Sequence, residues 1–188
     1  MITTLVELYI ALDELFDGIS DVCQHCADDD CLGYIWLLPE EMEKLYEASI
    51  ELLEINKKIA FINPFINGDQ IDIERVKPLC PWCQNRRCSI RSLRPFFCRI
   101  YPVNFATEAG SIYLVLHLDC EYARQREHDL EFHQMVIDLF RQLDPRFFSQ
   151  ILDTYCLVES ISKFPAGNNR YLRLIDVKHL EHISNERR

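Results

Sequence analysis

The sequence predicts a helix-rich α+β fold with a few short strands, formed as one domain over residues 1–188 around an irregular, metal-bound cysteine centre. Three observations support this prediction. Apolar residues recur at helical spacing in several segments, and one later segment alternates in the manner of a strand. Eight of the nine cysteines lie in two short clusters and the residues that follow them. The 48% apolar and 27% charged residues suit a domain with its own core.

Four segments are predicted to be helical. Residues 2–20 carry an apolar stripe at steps of three or four positions, and a second helix begins at Pro39 and extends to about Asn56. Proline fits the first turn there, and the two glutamates after it favour the positive end of the helix dipole. Later helices are predicted over residues 122–143 and from Pro145 to about Tyr155. The residues predicted to face the core are Leu5, Leu8, Leu12, Leu15 and Ile19 in the first helix, and Phe132, Val136, Leu139 and Leu143 in the third.

Strands are predicted in three places. Residues 59–70 contain strand-like pieces with a turn at Asn67-Gly68. Residues 111–119 place Ile112, Leu114, Leu116 and Leu118 on one face of a predicted strand, which delivers Cys120 at its end. A last strand is predicted over residues 171–177, before a polar tail. The cysteine region spans about 20–122, and the C-terminal helical part spans about 122–178.

Two cysteine sets share one spacing, Cys-x2-Cys-x4-Cys, and two further cysteines follow the second set. A Cys-x2-Cys turn lets two thiolates face one ion, and a second pair from elsewhere can close a tetrahedron. Thiolates are soft ligands that suit Zn²⁺, iron–sulfur clusters and Cu(I) rather than Mg²⁺ or Ca²⁺. The predicted metal ligands are Cys23, Cys26, Cys31, Cys80, Cys83, Cys88, Cys98 and Cys120.

A disulfide framework is the alternative use of these cysteines, and it requires an oxidising compartment. Residues 1–21 lack the basic stretch that opens a signal peptide, and acidic residues interrupt their apolar ones. The apolar runs are too short to cross a bilayer. The sequence therefore predicts a cytoplasmic protein with reduced thiols and no membrane partner.

The charge distribution is uneven. The net charge of −10 argues against binding nucleic acid or anionic membranes. Residues 80–99 nevertheless contain five arginines and no acid. These arginines either balance the residual negative charge of a thiolate-bound cluster or bind an anion or acidic partner. Arg94 and Arg99 lie on either side of Cys98 in the sequence. Both side chains are therefore predicted to point toward the thiolate site and to donate hydrogen bonds to sulfur or to nearby backbone carbonyls.

Four other residues carry weaker predictions. His25 lies inside the first cysteine set and is a reserve ligand. His128 and His133 are five positions apart, a poor spacing for two ligands on one helix face, and are predicted to be solvent-facing or capping. Cys156 lies on an apolar stretch and is predicted to be a small buried hydrophobe.

The cysteine segments read C-x2-C-x4-C-L-G-Y-I-W-L-L-P-E-E and C-P-W-C-x4-C-S-I-x3-R-P-F-F-C-R-I-Y-P. They resemble the YkgJ-type cysteine-cluster family, a zinc- or iron-chelating domain related to the cysteine domain of flagellin lysine N-methylases. The resemblance covers roughly residues 20–122. The matching positions are Cys23, Cys26, Cys31, Pro39-Glu40-Glu41, Cys80, Cys88, Arg94-Pro95, Cys98-Arg99, Tyr101-Pro102 and Cys120.

The chain departs from the family pattern at two places. The family usually ends its first cluster with adjacent cysteines, whereas this chain has Asp28-Asp29-Asp30-Cys31. Cys83 occupies a position where the family commonly has an apolar residue. We interpret the two departures together: Cys83 supplies the thiolate that is missing from the first cluster, so that the number of candidate thiolate ligands stays at eight.

Three functional classes follow from these observations, and whether the chain is an enzyme stays open. The favoured class is an iron–sulfur protein, [4Fe–4S] in particular, because the thiolates outnumber those one zinc needs and the arginines suit a negative cluster. Two four-thiolate zinc sites would use all eight cysteines equally well, as in a zinc-stabilised interaction module. The family resemblance also implies methyl transfer to protein lysines, although no glycine-rich loop follows a strand. A protein partner or protein substrate fits each class, and no catalytic residue is identified.

Overall fold

The computed structural model describes residues 1–25, 35–55, 59–62, 82–84, 87–161 and 170–180. Helices and antiparallel strands together confirm the α+β class. The helices are α1 (Leu5–Leu15), α2 (Ile19–His25), α3 (Pro39–Glu47), α4 (Phe96–Ile100), α5 (Glu121–Arg124), α6 (Leu130–Arg141) and α7 (Pro145–Ile161), with 3₁₀ turns at Arg91–Leu93 and Val177–His179. The strands are β1 (Leu52–Ile55), β2 (Ile59–Ile62), β3 (Cys83–Gln84), β4 (Arg87–Cys88), β5 (Val103–Glu108), β6 (Ser111–His117) and β7 (Tyr171–Asp176).

The chain divides into two compact units. Unit 1 comprises Met1–Cys26, Ile100–Gln150 and Asn168–Arg188, and unit 2 comprises Ala27–Arg99 and Ile151–Gly167. The single domain expected over residues 1–188 stays a prediction. No helix among the described residues is long and apolar enough to cross a membrane.

A three-stranded antiparallel sheet in the order β5-β6-β7 forms the centre of unit 1. The predicted strands at residues 111–119 and 171–177 are confirmed as β6 and β7. Strand β5 was missed, although its alternation of Val103, Phe105 and Thr107 is typical of a strand. Phe105 is buried, and its ring contacts those of Phe140 and Phe148, which fixes one face of the sheet against the core of this unit.

The predicted helix at residues 2–20 is in fact two helices, α1 and α2. The chain turns after Phe16, and Gly18 adopts a positive φ of 77° that glycine accepts without strain. Thr4 caps α1 with a reciprocal bond pair: the Thr4 hydroxyl accepts from the Glu7 N–H, and the Glu7 carboxylate accepts from the Thr4 N–H. In the predicted stripe, Leu5, Leu8, Leu12 and Ile19 are buried, as expected, and Leu15 is half-buried.

The predicted helix at residues 122–143 is likewise divided, into α5 and α6. Asp129 begins the second helix because its carboxylate accepts from the Phe132 N–H at 2.9 Å. The expected inner face is confirmed, since Phe132, Val136, Leu139 and Leu143 are all buried.

Unit 2 is built on α3 and the β1–β2 hairpin. Helix α3 begins at Pro39 as predicted but ends at Glu47, and the stretch predicted to continue it contains β1 instead. Ser49 interrupts the helix with a φ of 58°. The core of this unit is formed by apolar residues from the segment before α3, from α3, from the connection to β1 and from β2, namely Leu37, Leu45, Ile50, Ala60 and Ile62.

The end of α7 and the extent of β2 were also predicted from the sequence. Helix α7 continues to Ile161, beyond the predicted end near Tyr155. The predicted strand pieces of residues 59–70 are confirmed as β2 up to Ile62, and the Asn67-Gly68 turn lies outside the described residues.

Candidate metal centre

Four predicted ligands have a described side chain: Cys23, Cys88, Cys98 and Cys120. Cys26, Cys31 and Cys80 lie outside the described residues, and Cys83 is described by its backbone alone. None of the described four, nor Cys156, forms a disulfide in the structure.

Unit 1 places Cys23 and Cys120 on neighbouring elements. Cys23 lies on α2 and is half-buried. Helix α2 packs against α5, and the buried Cys120 is the residue that begins α5. The Cys120 N–H donates to the His117 carbonyl at 3.3 Å, so the end of β6 fixes this cysteine as predicted. The first and last predicted ligands thus belong to one compact unit.

In unit 2 the second cysteine set forms a hairpin. Strands β3 and β4 pair antiparallel, with Cys83 directly opposite Cys88. The hydrogen bonding extends one position beyond the Cys83–Cys88 pair, where the Ser89 N–H donates to the Trp82 carbonyl at 2.8 Å. Trp82 and Ile90 pack against the core of unit 2 and hold both ends of the hairpin on it. The Cys-x4-Cys spacing is therefore the spacing of two facing positions on a short, anchored hairpin.

Cys98 lies half-buried on α4. The N–H groups of Cys98 and Arg99 both donate to the Pro95 carbonyl at 3.0 Å, which closes the first turn of this short helix. The neighbouring Phe97 ring stacks on Trp36, with centroids 3.9 Å apart and planes within 5°. Aromatic packing thereby fixes the turn that presents Cys98.

Glu41 is a buried carboxylate, 3% exposed, that joins two of the sequence motifs. One oxygen, Oε2, accepts from the Leu38 N–H at 2.7 Å and caps α3. The other, Oε1, accepts from the Phe96 N–H at 2.5 Å and caps α4. The sequence did not predict this role, because Glu41 was expected only to interact favourably with the positive end of the helix dipole. The glutamate therefore positions the helix that carries Cys98 relative to the start of α3.

Arg99 is also buried, at 6% exposure, and its guanidinium binds the loop before α4. Nε donates to the Arg94 carbonyl at 2.8 Å, and Nη2 donates to the Ser92 carbonyl at 2.9 Å. Backbone carbonyls were one of the two acceptor types expected for this side chain. Arg94 is half-buried. The expected role of both arginines beside the thiolates stays a prediction.

Trp82 presents a buried indole Nε1–H with no hydrogen-bond acceptor among the described residues. Leaving such a donor unpaired costs about 1–3 kcal/mol, so buried donors are nearly always satisfied. Trp82 directly precedes Cys83 and lies between two predicted ligands in the sequence. A metal-bound thiolate or sulfide is the kind of acceptor that such a donor fits.

Within the described part of the chain, no three His, Cys, Asp or Glu side chains are grouped to hold a metal ion. The eight-cysteine site stays a prediction, since only half of its ligands have described side chains. The side chain of the reserve ligand His25 also lies outside the described set.

The prediction for Cys156 is wrong. Cys156 is exposed rather than buried because it lies on the outer surface of α7. Partial desolvation raises the pKa of its thiol, and the negative charges of Glu159 and Asp153 raise it further. His133 was predicted to be solvent-facing or capping; it is buried, and its Nε2 makes a capping contact with the Arg126 carbonyl at 2.9 Å. His128 is exposed.

Comparison with known proteins gave no relative: no family model, no curated protein and no solved structure matches this chain.

Proposed function

We propose that this chain is an iron–sulfur protein, which binds its cluster through thiolates of the two Cys-x2-Cys-x4-Cys sets. The favoured cluster type is [4Fe–4S]. The observation that carries the proposal is the direct pairing of Cys83 with Cys88 across the β3–β4 hairpin. Directly opposite positions on paired antiparallel strands lie about 5 Å apart, a spacing that two ligands of one centre can span. The first set repeats the same spacing in the sequence.

Three features of the described residues support a soft-ligand centre. The five cysteines with described side chains form no disulfide in the structure, which leaves their sulfurs available for ligation. Cys98 is held in a turn that three separate contacts fix: the Glu41 carboxylate, the Trp36 ring and the Arg99 guanidinium. Trp82 adds a buried donor beside Cys83. Outer donors and rigid supports of this kind orient metal ligands and tune their basicity.

The thiolates that would hold the metal come from eight cysteines, of which one [4Fe–4S] cluster takes four: Cys23, Cys26, Cys31, Cys80, Cys83, Cys88, Cys98 and Cys120. When bound, an iron–sulfur cluster supplies one-electron transfer. Arg94 and Arg99, which are near the ligands but do not bind the metal, would then offset the negative charge of the cluster. Zinc is the alternative occupant, since a Cys-x2-Cys turn and a paired hairpin also suit a four-thiolate zinc site that stabilises a fold without catalysis.

Anaerobic purification of the full chain, followed by absorption spectroscopy and analysis of iron, sulfide and zinc, tests the proposal. A brown protein with iron and acid-labile sulfide is expected. A colourless protein with stoichiometric zinc selects the zinc alternative, and a metal-free protein rejects both.

A pair of cysteine variants adds a matched comparison. Cys88→Ser removes a predicted ligand on the hairpin, and Cys156→Ser removes an exposed thiol outside both cysteine sets. The first should lose most bound metal, and the second should keep the wild-type content. Equal metal content in the two variants would remove Cys88 from the site.

A further inference from the structure

Helix α1 has a buried face and an exposed face that is partly apolar. Leu5, Leu8 and Leu12 are buried in unit 1. Val6 and Ile10 lie on the outward side, four positions apart, and are 54% and 57% exposed. Residues at this spacing are neighbours on one helix face. Two β-branched side chains thus form an apolar pair on the surface, where an amphipathic helix normally carries polar residues.

Carboxylates flank this apolar pair. Glu7, Asp13 and Glu14 are exposed, and each lies three or four positions from Ile10, so all three are its neighbours on the helix surface. Asp17 is exposed just after the helix. The last turn of α1 contains no basic residue, and no lysine or arginine precedes residue 44 in the sequence. The outer face of α1 is therefore apolar at its centre and negative around it.

The later acids lie where they oppose the stability of the helix. Glu7 closes the capping box at the N-terminal end, where a carboxylate is favourable. Asp13 and Glu14 lie in the last turn, at the negative end of the helix dipole, where carboxylates are unfavourable. Residues that break a local rule of stability are expected at functional sites. The exposed apolar pair breaks a second such rule on the same helix.

The charge of this face identifies the chemistry of its occupant. Carboxylates repel phosphate groups, which disfavours a nucleic acid or an anionic membrane. A second copy carries the same net charge of −10, which opposes self-association. A helix with lysines or arginines on both sides of an apolar stripe is complementary in both respects. Its apolar side chains would cover Val6 and Ile10, and its cations would meet the flanking carboxylates.

We propose that the outer face of α1 is a docking surface for a basic amphipathic helix of a protein partner. Val6 and Ile10 make the apolar contact, and the carboxylates of Asp13, Glu14 and Asp17 attract and orient the partner. The inference concerns α1 alone and does not depend on the metal centre.

Peptide binding to the full chain, followed by fluorescence anisotropy, tests the proposal. The probe is a labelled peptide of leucine and lysine, about five helical turns long, with its leucines along one stripe. The control peptide has the same composition in scrambled order. The amphipathic probe should bind about tenfold more tightly at physiological salt, because only its stripe can cover the apolar pair. Equal affinity for the two peptides would overturn the proposal and leave a general attraction between opposite charges.

Matched variants locate the binding on α1. Ile10→Lys places a cation at the centre of the face and should weaken probe binding about tenfold. Leu130→Lys makes the same change of charge at an exposed leucine of α6 and should keep wild-type affinity. Asp13→Asn combined with Glu14→Gln should weaken binding and reduce its dependence on salt.

Two outcomes would overturn the docking surface. Equal losses in Ile10→Lys and Leu130→Lys would show that binding follows net charge rather than this face. A dimer of the full chain that Ile10→Lys dissociates, measured by sedimentation velocity, would assign the face to a second copy. Because both lysine substitutions are at exposed positions, circular dichroism should show wild-type helix content in each.

Discussion

The Glu41 carboxylate accepts the backbone N–H of Phe96 across 55 positions of sequence, at 2.5 Å and in a buried environment. Glu41 belongs to the Pro-Glu-Glu start of α3, and Phe96 belongs to the Arg-Pro-x-x-Cys-Arg segment that carries Cys98. One side chain therefore connects two motifs that are far apart in the sequence. It gives a physical reason for their occurrence in one chain.

Replacing Glu41 by alanine should lower the free energy of unfolding by about 3 kcal/mol, because it leaves two N–H groups buried without an acceptor. Chemical denaturation measures this loss. Glu40→Ala is the matched control, since Glu40 is the exposed neighbour in the same helical turn. Glu41→Gln should fall between the two, because the amide retains only one acceptor oxygen. Similar stability for the Glu40 and Glu41 alanine variants would remove the proposed linkage.

Arg99→Ala should lower both the free energy of unfolding, by about 1–3 kcal/mol, and the metal content. The guanidinium holds the carbonyls of Ser92 and Arg94, and its loss frees the loop before Cys98. Arg91→Ala removes an exposed arginine of the same acid-free stretch and should change neither quantity. Metal analysis alongside denaturation decides the matter: full occupancy with unaltered spectra in Arg99→Ala would confine Arg99 to a structural role.

The thiol of Cys156 should react slowly with iodoacetamide at neutral pH despite its exposure. Partial desolvation, followed by the charges of Glu159 and Asp153, raises its pKa and so lowers the thiolate fraction. Glu159→Gln should speed the reaction about two- to threefold by removing one of these charges. A profile of alkylation rate against pH measures the change. A wild-type midpoint below that of an unstructured cysteine peptide would contradict the electrostatic explanation.

The capping box of α1 should stabilise the protein in a pH-dependent way. Hydrogen bonds from the Thr3 N–H, the Thr3 hydroxyl and Thr4 lower the pKa of Glu7 below its ordinary value of 4.5. A lowered folded pKa means that this stabilisation is fully present above pH 4.5 and is lost as the pH falls through the folded pKa. Glu7→Gln should therefore reduce the free energy of unfolding at neutral pH and make little difference in strong acid.

Two comparisons isolate the charge of Glu7. Thr4→Ala removes the neutral half of the box and should cost about 1 kcal/mol. Glu14→Gln removes an acid near the other end of α1, where a negative charge opposes the helix dipole, and it should not destabilise the protein. A wild-type advantage over Glu7→Gln that persists unchanged in strong acid would exclude the ionised carboxylate as its source.

The sequence predicted the features that depend on local periodicity. The buried stripes of α1 and α6, strands β6 and β7, and the start of α3 at Pro39 all follow from spacing and end signals that neighbouring residues set. The fold class followed from the same patterns.

The missed features depend on contacts or on single backbone angles. The break after Phe16 requires the positive φ of Gly18, and the early end of α3 requires that of Ser49. The bond from Phe96 to Glu41 joins residues far apart in sequence, so periodicity gives no sign of it. The exposure of Cys156 depends on which face of α7 meets the core, and the apolar neighbours of this cysteine suggested the wrong one.

Residue-resolved alkylation of the anaerobic, full-length protein, before and after removal of metal, tests the central claim most directly. Cys23, Cys88 and Cys98 are only half-buried, so burial alone does not protect their thiols. In the native protein, prolonged labelling should modify Cys156, and chelation should then make at least four of the eight predicted ligands reactive. Cys23, Cys88 and Cys98 labelled equally with and without chelation would contradict the proposal of a thiolate-bound metal.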